Sequence, residues 1–236
     1  MSTARAQCAP DGDLGSAGMI GIDTDMIARY GPLLLAGLVT TLRVCALASV
    51  IALLAGLVLA LLLRARLLVV RGAARAYVEV MRGTPILVIL FLLYYGGPSF
   101  GLVLDAEPVG ILGLGFYGAG YFAEIFRAGF ESIPKGQLEA ARMVGLTPRQ
   151  IVYRIQIPQM LGLIVPPSVN QVIILVKESA VLSIITVSEL TKNATQMANE
   201  TFAVVEPYLA VALLYWLLIE AIAWSGRRIE RRVRHA

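Results

Sequence analysis

Residues Gln137 to Pro158 read QLEAARMVGLTPRQIVYRIQIP, the longest amphipathic, charge-bearing run in an otherwise apolar chain. Glu139 to Val144 are good helix formers. Gly145 then supplies a left-handed stop, where a side chain would be strained. Thr147 suits an N-cap, Pro148 the first helical position, and Gln150 the third residue of a capping box. Ile151, Val152 and Ile155 give the second helix an apolar face, while Arg142, Arg149 and Arg154 keep the other face in water. The pattern predicts helix, break, helix: an elbow at a membrane surface that ends where Pro158 turns the chain. Pattern alone leaves two uses for it, a loop that happens to be helical or a docking element.

Composition says what surrounds the elbow. The chain has 236 residues, 58% hydrophobic and 15% charged, with a mean hydropathy of +0.75. A soluble domain of that composition would expose large apolar patches, so the chain reads as a membrane protein. One histidine, His235, and two cysteines, Cys8 and Cys45, exclude an evident metal cluster or disulfide framework. Cys45 sits in an apolar run and reads as packing. No G-x-x-x-x-G-K-[ST] occurs, and none of the three lysines follows a glycine, so the chain has no P-loop of its own. Without a Ser/His/Asp or metal set there are no catalytic residues to name, and an intramembrane enzyme is not expected.

Taken in order, residues 1–32 form a polar, acidic stretch (Asp11, Asp13, Asp23, Asp25) with no basic start and apolar core of a signal peptide. They are expected to be a poorly ordered outer tail. Spans are expected at about 33–63, 85–104, 109–126, 160–177 and 207–225, each near the roughly 20 residues that cross a bilayer. The second is broken late by Gly96-Gly97-Pro98, and the third is dense in small residues that allow close helix approach. The fourth is interrupted by Pro166-Pro167, and Ala180 to Val187 form a short apolar piece able to dip back into the membrane. Residues 188–206 are polar and helix-prone, and 227–236 form a basic tail.

Three of the links are strongly basic. Links 64–82, 127–154 and 227–234 each carry five Lys or Arg, fifteen of the chain's twenty. Positive residues stay on the cytoplasmic side. The expected fold is therefore an all-α integral membrane protein with five transmembrane helices, N-terminus outside, C-terminus cytoplasmic, and the helix-turn-helix at 135–158 in the cytoplasm.

With no enzyme chemistry, the function is passage or interaction. Polar groups at depth are Glu124, Asn170, Gln171, Lys177, Glu178, Ser179, Ser183 and Glu220. Such groups face a cavity or a partner, because hydrocarbon does not solvate them. Lys177 and Glu178 are either a pair at the membrane surface or a site for a zwitterion, with the ammonium meeting a carboxylate and the carboxylate an amine. Glu124 is a ligand group or a structural partner for a nearby arginine. Glu220 is an interhelical hydrogen-bonding group or lies near the inner interface.

Four runs resemble one family. Glu139, Ala140, Ala141, Gly145, Ile155, Ile157 and Pro158 resemble the EAA loop of ABC-importer permeases. Arg82-Gly83-Thr84-Pro85 resembles the R-G-T-P start of a span in amino-acid importer permeases. Ala123-Glu124-Ile125-Phe126-Arg127 resembles the A-E-I-F-R signature of the same family. Lys177-Glu178-Ser179 is similar to the L-K-D-T-S-L run of polar amino-acid permeases, with Glu178 in place of Asp and Ala180 in place of Ser. In this order, from about Leu33 to the end, the chain resembles a permease subunit of a type I ABC importer of the polar amino-acid branch (histidine, arginine, lysine, glutamine or glutamate).

The resemblance implies an ABC transmembrane type-1 domain over 33–226 in the bacterial inner membrane, crossing the lipid bilayer several times. Glu139, Ala140, Ala141, Arg142, Gly145, Leu146 and Pro158 would couple it to an ATPase dimer that holds ATP and Mg, with no cofactor in this chain. Lys177, Glu178, Ser179, Asn170, Gln171 and Ser183 would meet the substrate. A second permease subunit, identical or paralogous, and a periplasmic amino-acid-binding protein complete the expected partners, with no nucleic acid. The rival readings are an ion-gradient-coupled carrier or channel, and a structural scaffold.

Overall fold

The computed structural model describes residues 24–234, and among them every regular element is helical. Helix α1 (Thr24–Leu62) is the longest. It starts before Leu33, so the expected outer tail is shorter than 1–32, and residues 1–23 lie outside the described chain. The extension is held by packing: Tyr30 and Leu34 are buried with Leu190, Met197 and Val211. Pro32 lies within α1 and does not end it.

Four stretches are long and apolar enough to cross a membrane: Arg29–Leu62, Ala106–Glu131, Pro148–Ile185 and Val205–Val233. A bent pair of helices passes the same test only when its two halves are taken together. Helix α2 (Leu68–Gly83) is followed by α3 (Ile86–Phe91) and two short turns to Phe100, and the two halves meet at 107°. The sequence reading put this span at 85–104 and left 64–82 as a link. Residues 86–100 alone rise only about 22 Å, short of a roughly 30 Å hydrocarbon core. Pro85 makes the bend, since it disfavours a helical residue before it and Thr84 is extended at φ −103°, ψ 132°.

Helix α4 (Ala106–Glu131) is the hub. Its glycines let neighbours approach to backbone distance. A β-carbon on Gly115 would stand 2.8 Å from Ile51 Cγ2, and one on Gly118 2.9 Å from Ala52 Cβ. Gly56 of α1 faces Phe122 of α4, so residue numbers rise together along the pair and the two helices are parallel. Arg43 closes the far end of the pair on Glu107 at 2.7 Å. Helix α2 packs on α4, with Tyr77 donating to the Phe116 carbonyl at 2.9 Å and Arg82 beside Gly120. Helix α7 (Ile157–Glu178) is antiparallel to α4, with Leu175 on Gly118 and Ile164 on Gly129.

This packing makes a test. On Gly56 a β-carbon would stand 2.5 Å from Phe122 Cβ and 3.1 Å from the Ala119 carbonyl oxygen, with no flexible side-chain end to yield. Gly56→Val is expected to cost about 1–3 kcal/mol by overpacking and to lower the melting temperature in detergent. Gly162→Ala, in open space, is the control and should melt as the parent does. Equal melting of all three would contradict the close approach of α1 and α4.

Two prolines behave differently from expectation. Pro158 does not turn the chain, because α6 (Pro148–Ile151), a wide turn at Val152–Gln156 and α7 form one continuous rod. In the wide turn the Ile157 N–H bonds five residues back to the Val152 carbonyl. The ladder is already opened there, so the N–H that Pro158 lacks is not missed. Pro166-Pro167 does not interrupt the fourth span either. Both lie on the exposed side of α7, while Met160, Ile164, Gln171 and Leu175 hold the other side against the core. The chain continues through a tight turn at Ser179–Ile185 into α8 (Leu190–Thr201) and α9 (Val205–Arg234). Gly226 of α9 lies against Val169, antiparallel to α7.

Candidate functional site

The elbow forms from local bonds alone. Helix α5 (Lys135–Met143) ends at Gly145, which stands at φ +83°. Its N–H returns to the Arg142 carbonyl at 3.0 Å, and that of Leu146 to the Ala141 carbonyl at 3.1 Å. These are the paired 5→2 and 6→1 bonds of a Schellman stop. Two residues on, the Thr147 hydroxyl accepts from Gln150 N–H at 3.4 Å while Gln150 Oε1 accepts from Thr147 N–H at 2.8 Å, a reciprocal capping box. Gln159 Nε2 donates to Gln137 Oε1 at 2.8 Å and ties the two arms together.

The elbow's inner and outer sides are distinct. Ala141 is buried and Leu146 half-buried; Glu139, Ala140, Arg142, Gly145 and Pro158 are exposed. Beyond the expected set, the elbow carries exposed apolar side chains at Met143 (88%), Val144 (77%) and Tyr153 (70%). Three such groups on a polar turn form a patch that water does not favour.

The six expected substrate residues sit in different settings along the end of α7 and the stretch after it. Lys177 is exposed and Glu178 half-buried, and among the described residues neither forms an ion pair. Neighbours on a helix point about 100° apart, so the two do not share a face. Asn170 is exposed; Gln171 is buried with its Nε2 unpartnered among the described residues. Ser179 and Ser183 spend their hydroxyls on the Val176 and Ala180 carbonyls, at 2.8 and 2.7 Å.

A tyrosine ladder runs along α4. Tyr117 and Tyr121 share a hydrogen bond of 3.1 Å, and Arg82 of α2 stands 5.5 Å from the Tyr121 ring centroid. Next down is Glu124, bridged by Arg127 at 2.6 Å, the structural pairing that sequence left as one of two alternatives. Two phenols, the Arg82 guanidinium and the Glu124 carboxylate make a polar track along α4. Residues 117, 121 and 124 sit at i, i+4 and i+7, a spacing visible in the sequence, but aromatic stripes of that kind are ordinary core. Glu220 is paired within its own helix, with Arg227 at 2.6 Å.

A second polar centre is legible only in three dimensions. Glu189 is fully buried at the start of α8. Its carboxylate accepts from the N–H groups of Thr191 and Lys192, at 2.8 and 2.7 Å, and from the Tyr215 hydroxyl of α9 at 3.0 Å. Beside it the Thr41 hydroxyl accepts from Leu190 N–H at 3.1 Å, and Asn193 donates to the Leu33 carbonyl at 2.8 Å. Helices α1, α8 and α9 are thus clasped at one end of the bundle. Among the described residues no group of three or more His, Cys, Asp or Glu is placed to hold a metal ion.

Comparison with known proteins gives the family of the chain. Residues 52–235 match the family described as binding-protein-dependent transport system inner membrane component. The chain is 36% identical over 180 residues to the probable amino-acid ABC transporter permease protein YckA of Bacillus subtilis (strain 168), covering 76% of this chain and 80% of that one. It is 32% identical to the arginine transport system permease protein ArtQ of the same organism, over 86% of this chain and 93% of that one. Among solved structures, the crystal structure of an amino acid ABC transporter with histidines matches with a TM-score of 0.84 and 35% identity, over 90% of this chain and 100% of that one. Helical crossings around a small-residue hub, a capped elbow between the crossings α4 and α7, and these likenesses over most of the chain agree: the protein belongs to the family of binding-protein-dependent transport system inner membrane components.

Proposed function

We propose that the chain is the multi-pass inner-membrane subunit through which an ATP-driven importer passes a polar amino acid, released by a binding protein outside and delivered to the cytoplasm. The observation that carries this reading is the elbow: a rigid, doubly capped turn with Met143, Val144 and Tyr153 bare on its surface. A partner that covers those side chains and grips the turn moves the subunit as a rigid body. The ATPase is a separate chain in such systems, and ATP with its Mg belongs there. Glu139, Ala140, Ala141, Arg142, Gly145, Leu146 and Pro158 form or flank the gripped turn. The charge pattern supports placing the N-terminus outside, and the alternating helix directions fit it.

One protomer is too thin to enclose a path, so a second permease copy or paralogue faces it, with 33–226 as the transmembrane unit. Glu178 receives the cationic side chain of the substrate. Lys177, Asn170 and Gln171 lie nearby in sequence on the same rod, with Ser179 and Ser183 shaping the turn above.

The test is reconstitution with the ATPase and binding protein in proteoliposomes. Amino-acid uptake should require ATP; uptake sustained by a proton or sodium gradient alone would favour an ion-coupled carrier. Glu178→Gln should reduce uptake of a cationic amino acid about 10-fold, the loss of roughly one charge-assisted hydrogen bond, and change a neutral one by less than about twofold. Equal effects on both would count against a charge-selecting Glu178.

A further inference from the structure

Between α2 and the end of α4 lies a cleft of about 540 Å³. Arg127 lines it but is occupied, bridging Glu124 and Glu131 at 2.6 Å each. Arg71, Arg75 and Arg82 line the same cleft and, among the described residues, make no ion pair. With Glu79, Glu124 and Glu131, three carboxylates face the four guanidiniums of the cleft, four minus three leaving a net charge of +1. The cleft has an unmet demand for an anion.

Its rim says which anion. Arg71 and Arg75 are one helical turn apart and share a face. Immediately before them Leu67, Leu68 and Val69 stand bare, at 70%, 72% and 84% exposure. Guanidiniums beside an uncovered apolar shoulder are the arrangement of a helix at the headgroup boundary, with the charges at phosphate level and the leucines among acyl chains. On the charge-based orientation above, this end of the bundle is the cytoplasmic one, where the leaflet carries anionic lipid. We propose that the α2–α4 cleft holds the phosphate of an anionic phospholipid of the inner leaflet, gripped by Arg71 and Arg75, with its chains lying over Leu67, Leu68 and Val69. The inference rests on the proposed orientation but not on which solute is carried, and its readout involves no transport.

The experiment is native mass spectrometry of the assembled transporter, released from nanodiscs of phosphatidylethanolamine and phosphatidylglycerol. The parent should retain phosphatidylglycerol. The double variant Arg71→Gln/Arg75→Gln should lose it with an affinity roughly 30-fold lower, from two arginines at the membrane surface. Arg231→Gln/Arg232→Gln, which removes equal charge from the basic tail, should retain it. Should the double variant fail to assemble, Arg75→Gln alone is read the same way, with an expected loss of roughly fivefold. Undiminished lipid in the cleft variants, or equal loss in both pairs, overturns the proposal. So does protection of the cleft by inorganic phosphate with no retained lipid, which would make the site one for a soluble anion.

Discussion

Gly145→Val is expected to abolish ATP-driven uptake in the reconstituted complex while leaving the membrane-embedded helices folded. Gly145 stands at φ +83°, where a β-carbon is strained. The left-handed region costs an ordinary residue about 1–2 kcal/mol, and a β-branched one more. If the turn relaxes, the bonds to the Arg142 and Ala141 carbonyls go with it, each worth about 1 kcal/mol net. No neighbour lies within 4 Å of an added β-carbon, so the damage is conformational, not steric, and stays in the elbow. That separates this change from a core defect. The expected order of uptake is Asn, then Ala, then Val, because asparagine tolerates the left-handed region best. Melting temperature should move little across the series. Normal uptake by the valine variant would refute the turn as the transmitting element, whatever its shape.

The largest loss of stability is expected at Glu189. Leucine there has similar bulk but no acceptor, leaving the Thr191 and Lys192 N–H groups unpaired and the Tyr215 hydroxyl with the Thr191 hydroxyl alone. An orphaned buried donor costs about 1–3 kcal/mol, so the two N–H groups together cost roughly 2–6 kcal/mol, a large part of the 5–15 kcal/mol that holds a typical fold. Glu189→Leu should therefore melt far below the parent in detergent, or fail to accumulate. Glu189→Gln keeps one oxygen acceptor and should sit between the two. Tyr215→Phe in the parent removes one donor to the carboxylate, and should cost about 1 kcal/mol. A Glu189→Leu protein as stable as the parent would show that the clasp is not what holds α8 to α9.

How legible these features were in the sequence depends on the range of their causes. The stop at Gly145 and the box between Thr147 and Gln150 are bonds over three to five residues, and residue type alone announces them. The apolar stretches and the hub's glycines were visible for the same reason. Prolines misled, because Pro158 and Pro166-Pro167 are breakers only when nothing around them absorbs the lost bond; here a wide turn and the packing on α4 do. Helix α2 had a signal that went unread: Arg71, Arg75, Glu79 and Arg82 recur at helical spacing opposite Val69, Ala73 and Val80. Arg43–Glu107 and Glu189–Tyr215 pair across 64 and 26 residues, and no local pattern marks them. Lys177 and Glu178 are adjacent in sequence, and the helix points their side chains about 100° apart.

The unbroken rod from Pro148 to Ile185, 38 residues and about 57 Å end to end, joins the elbow's second arm to the far rim of the bundle. A stiff spar of that length has no slack to take up a tug at its foot. Whatever tilts Pro148 also swings the turn that leads to Glu189, so the outward mouth and the inward grip are two ends of one oar, with the hub at Gly118 and Gly129 as its oarlock.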